Sequence, residues 1–429
     1  MRGNRAGTDS KILLYGATPF KDIFVNFKTF SFHPQINAGI STAGYSTPTP
    51  IQSQTIPAIL EGKDVFGLAQ TGTGKTAAFV LPILERLMKG PRGKLRALIL
   101  SPTRELAEQT HAAINQLGRQ TGLRSMTIYG GVSSSSQIRG LRNGVDIVVA
   151  CPGRLLDLKD QRAVNLNNIE ILVLDEADHM FDMGFLPSLR RIVALLPERR
   201  QTLLFSATMP SEIRKLATEM LHNPVTFEIS ITKPIDTITH AIYNVDQSRK
   251  FEMLMLILRE SGQGQVLVFT RTKHRAKKLA IQLSQAGHSA TSLQGNLSQG
   301  QRDLAMNSFR RGRVKVLVAT DIAARGIDVS QVSHVINYDI PDTADAYTHR
   351  TGRTGRMEHL GTALTLVTKE DLPMVRTIER LMGQNLERRV MSNFDESIKV
   401  PSQPIQSNNK SSQNRSNNNR FRSFSRSNQ

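Results

Sequence analysis

The sequence is short of three things. Cysteine occurs once in 429 residues, as Cys151, which excludes an intramolecular disulfide and leaves too few thiolates for a zinc or iron–sulfur site. No apolar run approaches the roughly 20 residues that span a bilayer, and the first segment lacks the h-region and cleavage pattern of a signal peptide. No membrane partner is expected, and a single thiol fits the reducing cytoplasm. Acidic residues are the third shortage: 36 Asp and Glu stand against 55 Lys and Arg, a formal charge of +19. Cations in that excess point to a polyanionic partner, most readily the phosphates of nucleic acid.

What is present divides the chain in two. Single cores rarely grow beyond about 250–300 residues, so this length with 39% hydrophobic residues predicts two domains. Residues 1–26 carry no clear period and are read as a mobile extension. Across 27–229, short β-rich runs alternate with turn signals and helical stretches, the pattern of a parallel sheet with crossover helices. The runs are Asp64–Ala69, Ala97–Ser101, Ser125–Tyr129, Asp146–Ala150, Ile171–Asp175 and Gln201–Ser206, and Glu105–Leu117 has a helical period. Residues 230–237, with Pro234 inside, suit a linker. The alternation resumes over 238–395, with strands at Gln265–Thr270, Ala290–Leu293, Lys315–Thr320 and Val332–Tyr338 and helices at Arg271–Gln285 and Gln299–Arg311. The fold class is α/β, two mainly parallel sheets flanked by helices. Residues 396–429 fall to Ser, Asn, Gln and Arg, cannot offset their ordering entropy, and are read as a disordered tail. Lys410, Arg415, Arg420, Arg422 and Arg426 make that tail basic, either as a nonspecific RNA tether or as a solubilising segment.

The strongest chemical signal is Ala69-Gln70-Thr71-Gly72-Thr73-Gly74-Lys75-Thr76, between a strand and a helix. The glycines let the backbone turn so that its N–H groups face phosphate oxygens at a helix N-terminus. Lys75 would reach the β- and γ-phosphates and Thr76 would hold Mg²⁺. Ala69 stands where the general P-loop has Gly. The run Leu172–Leu174 ends in Asp175-Glu176-Ala177-Asp178, and a buried strand ending in carboxylates is where an NTPase presents a metal-binding Asp. Asp175 would position Mg²⁺; Glu176 would orient or deprotonate the attacking water. Arg350, Arg353 and Arg356 recur every third residue around Gly352 and Gly355, a cluster suited to guanidinium fingers inserted across a cleft onto a γ-phosphate.

With Asp175 to Asp178 the chain resembles the DEAD-box RNA helicases, and the family's other motifs follow in order from about Phe27 to Thr368. The resemblance implies two tandem RecA-like domains. Gly44 to Gln52 is similar to the adenine-recognising Q motif, with Phe27 at the expected upstream spacing, so Gln52 would pair with the adenine edge and Phe27 would stack on it. That implies ATP. Ser206-Ala207-Thr208 resembles the coupling motif, whose two hydroxyls would bond Asp178. Arg353 and Arg356 are the implied fingers, His349 the coupling residue, and Asp321 the ribose partner.

Pro102, Thr103 and Arg104 follow a strand and open a helix, so they and nearby N–H groups can bind phosphate. Gly131 permits close backbone approach, and Gly153 and Arg154 repeat the theme. Cys151 stands where the family usually has Thr, which weakens one phosphate contact. In the second domain Thr270, Gln299, Arg302, Thr320, Arg325 and Gly326 match the family's RNA-contacting positions, beyond the carboxyl ends of strands where open α/β sheets bind ligands.

Backbone contacts carry no base code, so little sequence specificity and steep salt dependence are expected. The resemblance implies an ATP-dependent RNA helicase of the bacterial RhlE type with a monomeric core, which closes on RNA and separates short duplexes locally. Ribosomal and mRNA-decay complexes are settings the residues do not choose between. An ATP-gated RNA clamp or annealing protein and a DNA-directed helicase are the rival readings.

Overall fold

Short runs of Val, Ile and Leu closed by turn signals become the strands of two parallel sheets in the computed structural model, which describes residues 26–70, 72–229, 238–262, 264–324, 332–355, 360–391 and 394. The first sheet is built from β1 (Val65–Leu68), β2 (Ala97–Leu100), β3 (Ser125–Ile128), β4 (Ile147–Ala150), β5 (Ile171–Leu174), β6 (Gln201–Ser206) and β7 (Val225–Glu228). Their order across the sheet is β3-β4-β2-β5-β6-β1-β7, and every pairing is parallel. The second sheet holds β8 (Ile238–Asn244), β9 (Gln265–Phe269), β10 (Ala290–Leu293), β11 (Val316–Ala319), β12 (Val332–Asn337), β13 (Gly361–Val367) and β14 (Glu387–Arg388). It runs β10-β11-β9-β12-β13-β8-β14, again all parallel. Counted from its own first strand, the second sheet repeats the order of the first. The chain thus carries one RecA-like topology twice.

Burial explains why these runs are strands. Every residue of β2, β4 and β5 is buried, as expected where helices cover both faces of a parallel sheet. Alternate residues serve opposite cores: Ile99, Val149 and Val173 pack with Phe79 and Phe205 on one face, while Leu98, Val148 and Leu172 pack with Leu155 and Leu189 on the other. The edge strands β3 and β10 are partly exposed and carry Ser and Thr, which discourages pairing with another sheet edge.

All ten expected strands are present within a residue at each end. Four more, β7, β8, β13 and β14, were not among those read from the sequence. Two of them flank the expected linker, where polar residues interrupt the apolar run, and β14 has only two residues. The expected helix from Arg271 starts instead at Lys273, because Thr272 is its N-cap and accepts from Arg275 N. Asn26, assigned to the extension, caps the short turn Phe27–Phe30. The rest of the extension, the linker 230–237 and the tail 396–429 lie outside the described residues. Among those described, no helix is long and apolar enough to cross a membrane.

Sheet order sorts the loops. β5, β6 and β1 are neighbours, so the turns after them share one end of the first domain; β3, β4 and β2 gather a second set beside it.

Candidate functional site

The glycine loop leaves β1 in register with its neighbour, Ala69 N donating to Ser206 O at 3.0 Å. Gly74 sits at φ 94°, and a Cβ there would lie 2.5 Å from Gln52 Nε2, so the turn requires glycine twice over. Lys75 opens the helix Lys75–Met88, is buried, and donates from Nζ to Ala69 O at 2.9 Å. An ammonium has three donors, so two remain for phosphate oxygens. Thr73 Oγ1 donates to Gln70 O at 2.7 Å and holds the loop in its turn. Gln52 Nε2 donates to Gly74 O and its Oε1 accepts from Thr49 N, both at 3.0 Å, which ties the Q-motif helix to the loop. One N–H and one lone pair of the amide remain for an adenine edge. Phe27 is buried, with its ring stacked on half-exposed Tyr45 at 6.0 Å. Thr71 lies outside the described residues.

Beyond β5 the backbone turns sharply: Glu176 adopts φ 53° and ψ 56°, a left-handed conformation costing a non-glycine residue about 1–3 kcal/mol. Burial and the neighbouring Glu176 push the Asp175 carboxyl up to about 7. Burial opposes ionisation of Glu176 as well, but His179, whose Nδ1 lies 2.6 Å away, and then Lys75 and Arg353 hold it well below the usual carboxylate range. A buried carboxylate with excess negative charge beside a lysine is a donor set that suits a nucleotide-bound divalent cation. Asp178 Oδ2 accepts from Ala207 N, Thr208 N and Thr208 Oγ1 at 3.1–3.2 Å. Of the two hydroxyls expected on Asp178, only that of Thr208 reaches it. Ser206, buried at the end of β6, donates instead to Thr208 O at 2.7 Å and shapes the loop that presents Thr208.

The second domain closes over these groups. His349 Nε2 lies 4.0 Å from Asp178 Oδ2, and its ring meets His179 edge to face at 5.0 Å. Burial, aided by His179, lowers the His349 pKa and favours its neutral form. Arg353 is buried near enough to Glu176 to favour its charged state. Arg350 is occupied otherwise. It forks onto Asp321 at 2.5 and 2.7 Å, donates to Asn337 Oδ1 at 3.1 Å and to Asp339 O at 2.7 Å, and stacks on Phe269. Asp321 therefore approaches a ribose with its carboxylate already fixed by Arg350. Arg356 lies outside the described residues.

The phosphate-binding positions expected from sequence gather beyond β2, β3 and β4 and, across the cleft, beyond β9, β10 and β11. Thr103 caps the helix Arg104–Leu117 by accepting from Leu106 N at 3.3 Å, next to buried Pro102. Gly131 has φ 80° and, like Gly153, open space where a Cβ would stand. Arg154 donates to Val132 O at 3.1 Å. Cys151 occupies the N-cap of Pro152–Asp160 without a side-chain bond, and burial pushes its thiol up to about 12. Thr270 is buried at the end of β9, and Thr320 N reaches Leu293 O at 3.4 Å. Two expected phosphate ligands also make ion pairs between the domains. Arg302 forks onto Glu105 Oε1 at 2.5 and 3.0 Å, and Arg104 lies 3.4 Å from Asp303 while stacking on Tyr129. Gln299 donates to the same Asp303 at 2.8 Å. Arg325 and Gly326 lie outside the described residues. Sequence reasoning missed Glu105, Asp303 and His179. An acid beside Arg104 in a phosphate-binding stretch was the available signal for the first.

Residues 49–216 match the family model described as DEAD/DEAH box helicase, and 249–358 match the helicase conserved C-terminal domain. The chain is 43% identical over 350 residues to the RNA helicase CrhR of Synechocystis sp., covering 81% of this chain and 71% of that protein. It is 39% identical over 376 residues to the DEAD-box ATP-dependent RNA helicase CshA of Bacillus subtilis, covering 87% and 76%. Its fold superposes on S. cerevisiae Dbp5 bound to RNA and ADP BeF3 with a TM-score of 0.78 at 33% identity, over 85% of this chain and 95% of that one. With one topology carried twice, the glycine loop and carboxylates in one copy and the buried arginines in the other, the chain belongs to the DEAD-box family of ATP-dependent RNA helicases.

Proposed function

We propose that ATP binds at the glycine loop, that hydrolysis requires the second domain to close, and that closure bends or parts a short RNA duplex held across both domains. The observation that carries this reading is the meeting of Asp178, His179 and Glu176 with His349 and Arg353 across the cleft. Lys75 and the N–H groups of Gly72 to Thr76 would hold the phosphates, Gln52 the adenine edge with Phe27 beside it, and Asp321 the ribose. Mg²⁺, held through Thr76 and Asp175, would neutralise charge on the phosphate oxygens. Glu176 would then orient or deprotonate water while Arg353 and Arg356 stabilise charge in the transition state. Ligands that favour the shut state bind cooperatively, so ATP and RNA each raise the affinity of the other.

Pro102, Thr103, Arg104, Gly131, Gly153, Arg154, Thr270, Gln299, Thr320, Arg325 and Gly326 would follow the RNA backbone, with Arg302 acting chiefly through Glu105. The domain limits 27–229 and 238–395 and the RhlE-like subtype belong to the same reading, as do a monomeric core, a cytoplasmic location and service in ribosomal or mRNA-decay complexes. The test is Glu176→Gln. It keeps the shape of the site and removes the carboxylate, so hydrolysis should fall by about 100-fold or more while ATP and RNA stay bound together. Release of RNA as fast as from the parent protein would overturn the assignment.

A further inference from the structure

We propose that the pole of the first domain facing away from the cleft is a second RNA surface, which holds the sugar–phosphate backbone of RNA extending beyond the clamp. In a parallel sheet all carboxyl ends point one way, here to the cleft, and the amino ends of β2, β3 and β4 gather at the opposite pole. Arg92 and Lys94 precede β2, Arg124 precedes β3, and Arg139 and Arg142 close the helix Ser134–Arg142 that leads to β4. All five are exposed, and none has an ion pair with a described residue.

The three loops are held together, so these cations form one surface. Asp146 accepts from Gly93 N at 2.7 Å and from Arg124 N at 2.8 Å. A Cβ on Gly93 would lie 2.9 Å from Arg124 Nη2, and one on Gly144 would lie 2.7 Å from Gly93 O. Two acids lie at this pole, and neither is free to neutralise the five cations: Asp146 is buried with both oxygens occupied by backbone N–H groups, and Glu170, just before β5, is paired with Arg96 and Arg86. Ordinary surfaces intersperse the two signs of charge; this one leaves like charges to repel. A polyanion relieves that repulsion. Four of the five cations are arginines, whose forked N–H groups match phosphate oxygens.

RNA is favoured over an acidic protein because the same sheet already engages RNA at its other end. A four-residue strand rises only about 13 Å, so an RNA longer than the clamp stays at high effective concentration near this pole. The inference rests on the RNA-helicase reading.

The test compares the full chain with its Arg124→Glu/Arg142→Glu variant, using an RNA of about ten nucleotides that fills the cleft alone and one of about forty nucleotides with a hairpin. The variant should bind the longer RNA about tenfold more weakly, with a salt dependence shallower by two to four, roughly one unit for each phosphate that is no longer neutralised or is repelled. ATP hydrolysis stimulated by the short RNA should stay within about twofold of the parent. An Arg124→Gln/Arg142→Gln variant, less able to disturb folding, should show a smaller loss in the same direction. Unchanged affinity for the longer RNA overturns the proposal, as does an equal loss for both RNAs, which places the effect in the cleft. Binding of polyglutamate at this pole in preference to RNA also overturns it. Failure of the short RNA to stimulate the parent chain would instead count against the helicase reading.

Discussion

Arg350, Arg353 and Arg356 share one spacing and one side chain, yet the fold gives the first of them different work. Arg350 is 3% exposed, and its guanidinium joins the loops after β11 and β12 through Asp321, Asn337 and Asp339. Arg350→Ala would strand the Asp321 carboxylate, a third exposed, and two buried carbonyl-type oxygens, a loss of about 1–3 kcal/mol, mostly from the oxygens left without a donor. The expected result is a lower unfolding temperature for the second domain, with hydrolysis per folded molecule falling less than in Arg353→Ala. Equal hydrolysis losses with unchanged unfolding would assign Arg350 to the chemistry instead. Cys151 makes the same point in reverse. Its departure from the family pattern is conspicuous in sequence, but a half-buried, protonated thiol without a cap bond offers phosphate little.

At the scale of elements, the helix Ala344–Thr351 must be held against the second sheet if His349 is to reach Asp178. Part of that attachment is His240 on β8, whose Nδ1 lies 3.0 Å from the Tyr347 hydroxyl. Burial lowers the His240 pKa from 6.5 to about 4, with no charged group contributing to the shift. Between those values the unfolded chain takes up a proton that the folded chain refuses, so stability is greatest above pH 6.5 and declines as pH falls towards 4. The size is about 1–3 kcal/mol, given the partial exposure of the ring. Thermal unfolding at pH 7 and pH 5 should show a smaller acid loss in His240→Gln than in the parent; equal losses would remove His240 as the cause.

For the whole molecule, closure is reinforced by ions as well as by nucleotide. Glu105 with Arg302 and Arg104 with Asp303 bridge the two domains, and the first pair is mostly shielded from water, each side chain 15% exposed. Glu105→Arg would set two cations together and oppose closure. Its kcat/KM for RNA-stimulated hydrolysis should fall at least tenfold, and the charge-swapped pair Glu105→Arg/Arg302→Glu should recover about 1–2 kcal/mol of that loss. Were Arg302 to act through phosphate alone, the swapped pair would be no better than Arg302→Glu.

The chemistry was legible in order along the chain because each reacting group is a local event: a glycine turn beside a lysine, carboxylates at a strand end, arginines beside small residues. Ten strands were legible too, since burial on both faces writes a continuous apolar run. Strand order was not. Nothing local states that β1 lies between β6 and β7, or that β2 separates β4 from β5. Yet that order brings the glycine loop, Asp175 and Thr208 together and sets Thr103, Gly131 and Arg154 apart as a second group. Partner choice was equally out of reach: Ser206 turns to its own loop, Arg350 to Asp321 and Arg302 to Glu105. Sequence determined which groups exist and which strand end carries each. Only tertiary structure decided which of them meet, because hydrogen bonds and ion pairs depend on distances between residues far apart along the chain.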